Sequence, residues 1–357
     1  MPEQSHDPIF LTGLSAVSYW LSPRPKSLDS EFERAIIEQG QNPRSPIPYL
    51  GEPMELPSPT VVPKGLSTRL TRNEALSIRS TIGGWLPVSI LADTGQSGIS
   101  THFYARAVLP AAAPRRSYIR ISHRIYVPSP ELTLVQAAPL LDLVDLTVLC
   151  SLFFSVFCFR PDSIRTVPRR ALCTPESARD FIREQANRNW NPPGIKQLRK
   201  AAALAVSQTA SPAELNCGLR MEFPLRLDGY GLGRARHNAT VSTGAGPDDV
   251  RWCDWLWKPS RRPAVAAEYQ SDEDHAGERA RKRDLRRDNE LAAAGLTTFS
   301  LLSEHLMSAA AMDTVAAQLG SALGRRPFPD DEDSKAARER LRRRIATALN
   351  RFHGLVG

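Results

Sequence analysis

Apolar and polar positions follow three different rhythms along this chain. The rhythm is clearest from residue 211 onward. A helix is predicted over about 212–222, and alternation predicts a strand over 234–241. Residues 250–257 and 263–269 read as two further strands, with a turn at 244–249 before the first and 258–262 between them. An arginine-rich helix over 277–294 stops at Gly295, and an apolar strand follows at 296–302. A helix over 303–323, an acidic linker at 327–333 and a basic helix over 336–352 complete the order. Residues 227–233 carry Gly229, Gly231 and Gly233 and read as a flexible loop.

The middle of the chain, 129–210, predicts mostly helix. Ser129-Pro130-Glu131 joins a capping hydroxyl, a proline suited to the first helical turn and an acid suited to the helix N-terminus. The same signal recurs at Thr174-Pro175-Glu176 and at Ser211-Pro212-Ala213-Glu214. Helices are expected over 178–186 and 195–206. The apolar run 146–159 is too short for a typical membrane span and reads as a buried helix.

Residues 1–128 are rich in Pro, Ser and Gly and predict an irregular α/β region. Short helices are expected over 14–21 and 31–39, loop over 41–64, and two short strands at 117–121 and 124–127. The expected fold class is α+β. A mixed sheet flanked by helices (211–325) follows the irregular region (1–128) and the helical region (129–210). The linker and basic helix (326–357) come last.

Composition adds a partner class. The chain has 357 residues, 46 Lys and Arg against 38 Asp and Glu, and a net charge of +8. A basic balance suits polyanions, and the dominance of arginine over lysine suits bidentate phosphate contacts. A GC-rich coding sequence, with abundant Ala, Arg and Pro, accounts for the same composition equally well. The five cysteines are widely spaced with no C-x-x-C pair, which predicts free thiols and a reducing, cytoplasmic setting. The opening residues lack a signal-peptide pattern, and no membrane partner is expected.

Two carboxylates on neighbouring strands carry the candidate chemistry. Asp254 lies among Trp252, Trp255 and Trp257, and Glu268 ends the apolar run from Ala264 to Ala267. A carboxylate in such a strand is costly unless paired. Glu214, Asp254 and Glu268 together offer oxygen ligands for a hard cation, Mg²⁺ or Mn²⁺. Glu214 also fits the acid position of a capping box on Ser211, and both readings stand. His275 suits general acid–base work, although a solvated loop histidine is equally consistent. Arg283 and Arg287 suit phosphate, or a salt-bridged helix face with Asp284 and Asp288. The tryptophans suit base stacking or core packing.

In these positions the chain resembles the PD-(D/E)XK nuclease superfamily, and within it the very-short-patch-repair endonuclease-like group. Glu214, Asp254, Glu268, His275, Asp284, Arg287, Leu291 and Gly295 follow the order of that group's marks. The resemblance implies a restriction-endonuclease-like fold and metal-dependent DNA cleavage, with Asp254, Glu268, Gln270 and His275 catalytic. Gln270 stands where the superfamily often has a lysine that orients water. An amide hydrogen-bonds water without positive charge. A second resemblance is to bacterial proteins with such a C-terminal domain. It is carried by Tyr126 to Thr133, Ser211 to Glu214 and Gly229 to Leu232. Some relatives of that kind resemble AbiEi-type antitoxins. This implies the alternative of a non-catalytic DNA-binding regulator.

Overall fold

The first strand and helix of the chain already serve two separate cores. The computed structural model describes residues 8–23, 53–63, 66, 70–82, 87–92, 102–108, 113–160, 163–244, 250–270 and 291–356. β1 (Ile9–Phe10) leads into α1 (Gly13–Leu21) and, further on, α2 (Arg72–Ile82). Two strands the sequence did not announce, β2 (Val88–Ala92) and β3 (Tyr104–Val108), pair in parallel. β4 (Tyr118–Arg120) and β5 (Ile125–Pro128) form the expected antiparallel pair, and β1 joins β5 in parallel. The helix expected over 31–39 lies outside the described residues. Ile9, Leu11, Ile78, Ile82, Val88 and Ile90 form a small core between α2 and these strands.

The helical middle begins as its caps dictate. Ser129 Oγ accepts from Leu132 N at the start of α3 (Pro130–Ala137), and Asp142 Oδ1 accepts from Val144 N and Asp145 N at the start of α4 (Leu143–Phe154). From Leu146 to Phe154 every residue of α4 is buried, and it forms the axis of the largest core. The apolar run 146–159 is not one helix, however. Ser155 turns extended, its Oγ meets Thr209 Oγ1 at 2.6 Å, and Val156 N donates to Thr209 O. The aromatic residues beyond it form β6 (Phe157–Arg160), which pairs with β7 (Ser163–Pro168). β-branched and aromatic residues favour that extended course. α5 (Pro175–Asn187) starts at the Thr174 cap, and α6 (Ile195–Leu204) follows it.

α7 (Pro212–Glu222) divides its faces between two cores. Leu215 and Leu219 join the α4 core, whereas Cys217 and Met221 lie against the second core under the large sheet. The chain then returns along the end of α7. Tyr230 N donates to Arg220 O, Gly231 N to Phe223 O and Leu232 N to Met221 O. The glycine segment expected to be a flexible loop is thus pinned, with Tyr230 and Leu232 buried. Gly229 is required there: a Cβ would stand 2.2 Å from Phe223 O.

The large sheet has the order β11-β10-β9-β8. β8 (Arg236–Ser242) and β9 (Val250–Trp257) are antiparallel, β9 and β10 (Val265–Tyr269) are antiparallel, and β11 (Thr297–Leu301) joins β10 in parallel. Trp255, Trp257, Val265, Ala267 and Leu301 meet Met312, Val315 and Leu319 in the second core, so Trp255 and Trp257 are packing residues. Ala239, Cys253, Leu256, Ala266 and Leu291 form a smaller cluster.

The helix expected over 303–323 is broken. α8 (Ser303–Met307) ends at Ser308, whose hydroxyl then caps α9 (Ala309–Leu323). Arg220, 1% exposed, satisfies the break by donating to the carbonyls of His305, Leu306 and Ser308. α10 (Glu332–Gly354) starts earlier than expected, capped by Asp331, and it is not an appendage. Leu341, Ile345, Leu349 and Phe352 enter the α4 core. The architecture is α+β with several small sheets, and no helix among the described residues is long and apolar enough to cross a membrane. All five cysteines are buried, and none is in a disulfide.

Candidate active site

The β9–β10 register positions the two strand carboxylates. Val265 faces Trp257, Ala266 faces Leu256 and Ala267 faces Trp255. One step further the same register sets Glu268 opposite Asp254. There the ladder stops, and Tyr269 N donates to Asp254 Oδ2 at 2.7 Å instead of to the β9 backbone. Glu268 is 8% exposed and faces Ser300 on its other side, across β11.

β8 is disturbed at the same level. Pairs His237–Trp255 and Ala239–Cys253 flank a gap in which Asn238 and Asp254 stand. Asn238 takes φ 44°, in the left-handed region that asparagine tolerates better than most residues. Its Nδ2 donates to Gln208 O and, at 3.3 Å, to Glu214 Oε2. The sequence reading missed this residue. Its one advance signal was an asparagine inside an otherwise alternating strand.

Glu214 comes from the first turn of α7. Ser211 Oγ accepts from Glu214 N and donates to Glu214 Oε1 at 2.9 Å, and Ala210 N donates to Oε2 at 2.8 Å. Both carboxyl oxygens are therefore engaged in capping. Burial raises the carboxyl's pKa, the negative charge of Asp254 raises it further, and the bonds from Ala210, Ser211 and Asn238 lower it. The balance stands at about 8. So α7 does bring Glu214 beside Asp254, and there it also caps the helix, with hydrogen bonds to both oxygens. Among the described residues, no group of three or more His, Cys, Asp or Glu is gathered to hold a metal.

Gln270 leaves the sheet just beyond Glu268. Its N–H donates to Leu301 O at 2.8 Å, and its Nε2 donates to Ser300 Oγ at 3.2 Å. His275, Arg283 and Arg287 lie outside the described residues.

A second polar group stands at the other end of α7. Glu222 is wholly buried and holds His237 Nε2 at 2.6 Å and Arg234 at 2.9 Å. Arg234 also donates to Leu204 O and Ala205 O, which ties the end of α6 to the start of β8. α7 approaches the sheet closely here: a Cβ on Gly218 would meet His237 Cε1 at 2.8 Å and Trp255 Nε1 at 3.1 Å.

No family model, curated protein or solved structure matches this chain. The functional reading rests on the site itself.

Proposed function

We propose that residues 211–325 form a restriction-endonuclease-like domain that hydrolyses DNA phosphodiesters with Mg²⁺ or Mn²⁺. The observation that carries this reading is the meeting of Asp254 and Glu268 at facing positions where the β9–β10 ladder gives way to a side-chain bond. The order of α7, three antiparallel strands and a fourth parallel strand supports it. Oxygen donors of this kind fit a hard divalent ion. Asp254 and Glu268 are the residues that would hold one. Glu214 stands beside Asp254 as a third carboxyl, with hydrogen bonds to both of its oxygens.

A bound ion supplies Lewis acidity toward a phosphoryl oxygen. The chain's own residues do the rest. Tyr269 N–H fixes the orientation of Asp254. Glu214, buried beside Asp254, has its carboxyl pKa raised by burial and by the Asp254 charge. Gln270 has an amide at the position from which it can hydrogen-bond water.

The test is cleavage of a labelled DNA duplex in Mg²⁺ or Mn²⁺ by wild type, Asp254→Asn and Glu268→Gln. Asp254→Asn preserves an acceptor for Tyr269 N–H, so the fold should survive. We expect both variants to lose cleavage with little change in melting. Wild-type cleavage by both variants would overturn the assignment.

Gln270 supports a second reading, a DNA-binding regulator without chemistry. Its Nε2 is engaged with Ser300 and carries no charge. Duplex binding that persists in chelator, with no cleavage in either metal, would favour it.

A further inference from the structure

Charge along the chain is uneven in a way the proposed site does not use. Between Glu184 and Glu214 there is no acidic residue, while Arg188, Lys196, Arg199 and Lys200 are all basic. Arg188 is held by Glu184 at 2.5 Å. The other three lie on α6, at positions i, i+3 and i+4, which share one helix face. That face is exposed, since α6 buries Ile195, Leu198, Ala201 and Ala202 on the opposite side. Among the described residues, Lys196, Arg199 and Lys200 have no ion pair with an acid. The contrast with α5 is informative: there Arg179 pairs with Glu176 at 2.7 Å and Arg183 with Asp180 at 2.9 Å. One helix surface is neutralised by its own acids and its neighbour is not.

The end of α6 is tied to the strand that borders the carboxylates. α6 ends at Leu204, where Arg234 binds the last carbonyls, and Arg236 is the next exposed residue of β8, an edge strand. The segment after α6 reaches Gln208, whose carbonyl accepts from Asn238, the residue that also donates to Glu214 beside Asp254. From Lys196 to Leu204 the helix advances about 12 Å, the rise of three to four phosphates along one strand of a duplex.

We propose that Lys196, Arg199 and Lys200 on α6, continued by Arg236 on β8, form a track for the phosphate backbone of duplex DNA entering the Asp254–Glu268 site. The inference rests on the nucleic-acid reading above and adds where the duplex lies. The track positions the duplex and reads no base, because its members are long cations on a convex face. Its side chains are mobile donors, and affinity arises mainly from release of counterions.

The test is fluorescence anisotropy with a short fluorescein-labelled duplex of mixed sequence, in chelator, from about 50 to about 200 mM salt. The proteins are the full chain and the variant Lys196→Gln, Arg199→Gln, Lys200→Gln. A control variant carries Arg179→Gln and Arg183→Gln on α5. Glutamine keeps helix propensity, and the sites are exposed, so folding is retained. We expect the α6 variant to bind about tenfold or more weaker, and its slope of log K against log salt to shrink by roughly 2–3. The α5 control should match wild type. Equal affinity and slope in the α6 variant and wild type would overturn the track and leave the DNA reading standing. Loss confined to binding of anionic phosphatidylserine vesicles would instead reassign the face to a lipid surface. Failure of the wild type to bind any duplex would overturn both proposals.

Discussion

Asn238 and Asp254 face each other across β8 and β9 at a level where the ladder between those strands is interrupted. The left-handed backbone of Asn238 frees its amide to bond Gln208 O and Glu214 Oε2. The edge of the sheet thereby presents a neutral donor, rather than another acid, to the Glu214 carboxyl beside Asp254.

Asn238 should therefore tolerate change poorly and in a defined order. Asn238→Ala loses two buried hydrogen bonds and retains an unfavourable φ, a cost of about 2–3 kcal/mol. Asn238→Gly loses the same bonds but relieves the backbone, so it should cost about 1 kcal/mol less. Urea unfolding of the two variants checks the order. Equal loss would mean that the backbone conformation contributes nothing.

Glu214 sets a pH dependence whose sign is fixed. Its carboxyl titrates near 8 in the folded chain, against an ordinary value of 4.5. The folded state thus keeps a proton that the unfolded state releases between those values, and stability falls as pH rises through that window. Glu214→Gln removes the ionisation while keeping an amide oxygen that can accept from Ala210 N and Asn238 Nδ2, with its NH₂ set against Ser211 Oγ. In chelator, its melting temperature should change less than that of wild type between pH 5 and pH 8.5. Parallel curves for the two proteins would remove Glu214 as the cause.

Gly218 is where helix propensity and packing oppose each other. Alanine would favour α7 by about 1 kcal/mol. Its methyl would also push against His237 Cε1 and Trp255 Nε1, and overpacking of that kind costs roughly 1–3 kcal/mol. Gly218→Ala should be net destabilising in chemical denaturation, and a gain in stability would show that α7 can lift from the sheet at little expense.

Asp313 and Arg338 form an ion pair that joins α9 to α10. Two bonds of 2.8 and 2.9 Å link them, Tyr230 donates to the same carboxylate at 2.6 Å, and the arginine is 4% exposed. Asp313→Ala leaves that guanidinium buried without its partner, a loss of about 3–5 kcal/mol. Asp180→Ala, which breaks an exposed pair with Arg183, should change stability by less than about 1 kcal/mol. Comparable losses in the two variants would contradict the difference in burial.

The sequence was most legible where local chemistry decides. Serine and threonine caps at 129, 174 and 211, the strand 250–257 and the pair at 118–128 appeared as expected, because capping and alternation are short-range signals. Distant partners hid the rest. Nothing near Phe157 says that Thr209 will draw Ser155 out of the helix, and nothing near Ser308 says that Arg220 will satisfy a break there. The site divides in the same way. The order of Asp254 and Glu268 and the Ser211 cap on Glu214 Oε1 are visible in the chain, but the engagement of Glu214 Oε2 depends on Ala210 and on Asn238 of β8.

α10 gives the fold a direction in time. Ser18 Oγ donates to Leu355 O at 2.6 Å, and Phe352 and Val356 share a core with Phe10 and Trp20. A nascent chain therefore emerges from the ribosome with α1 still uncovered, and the large sheet is synthesised before α1 acquires its lid. A chain cut before α10 would leave the apolar surface of α1 and α4 that Leu341, Ile345, Leu349 and Phe352 cover open to water.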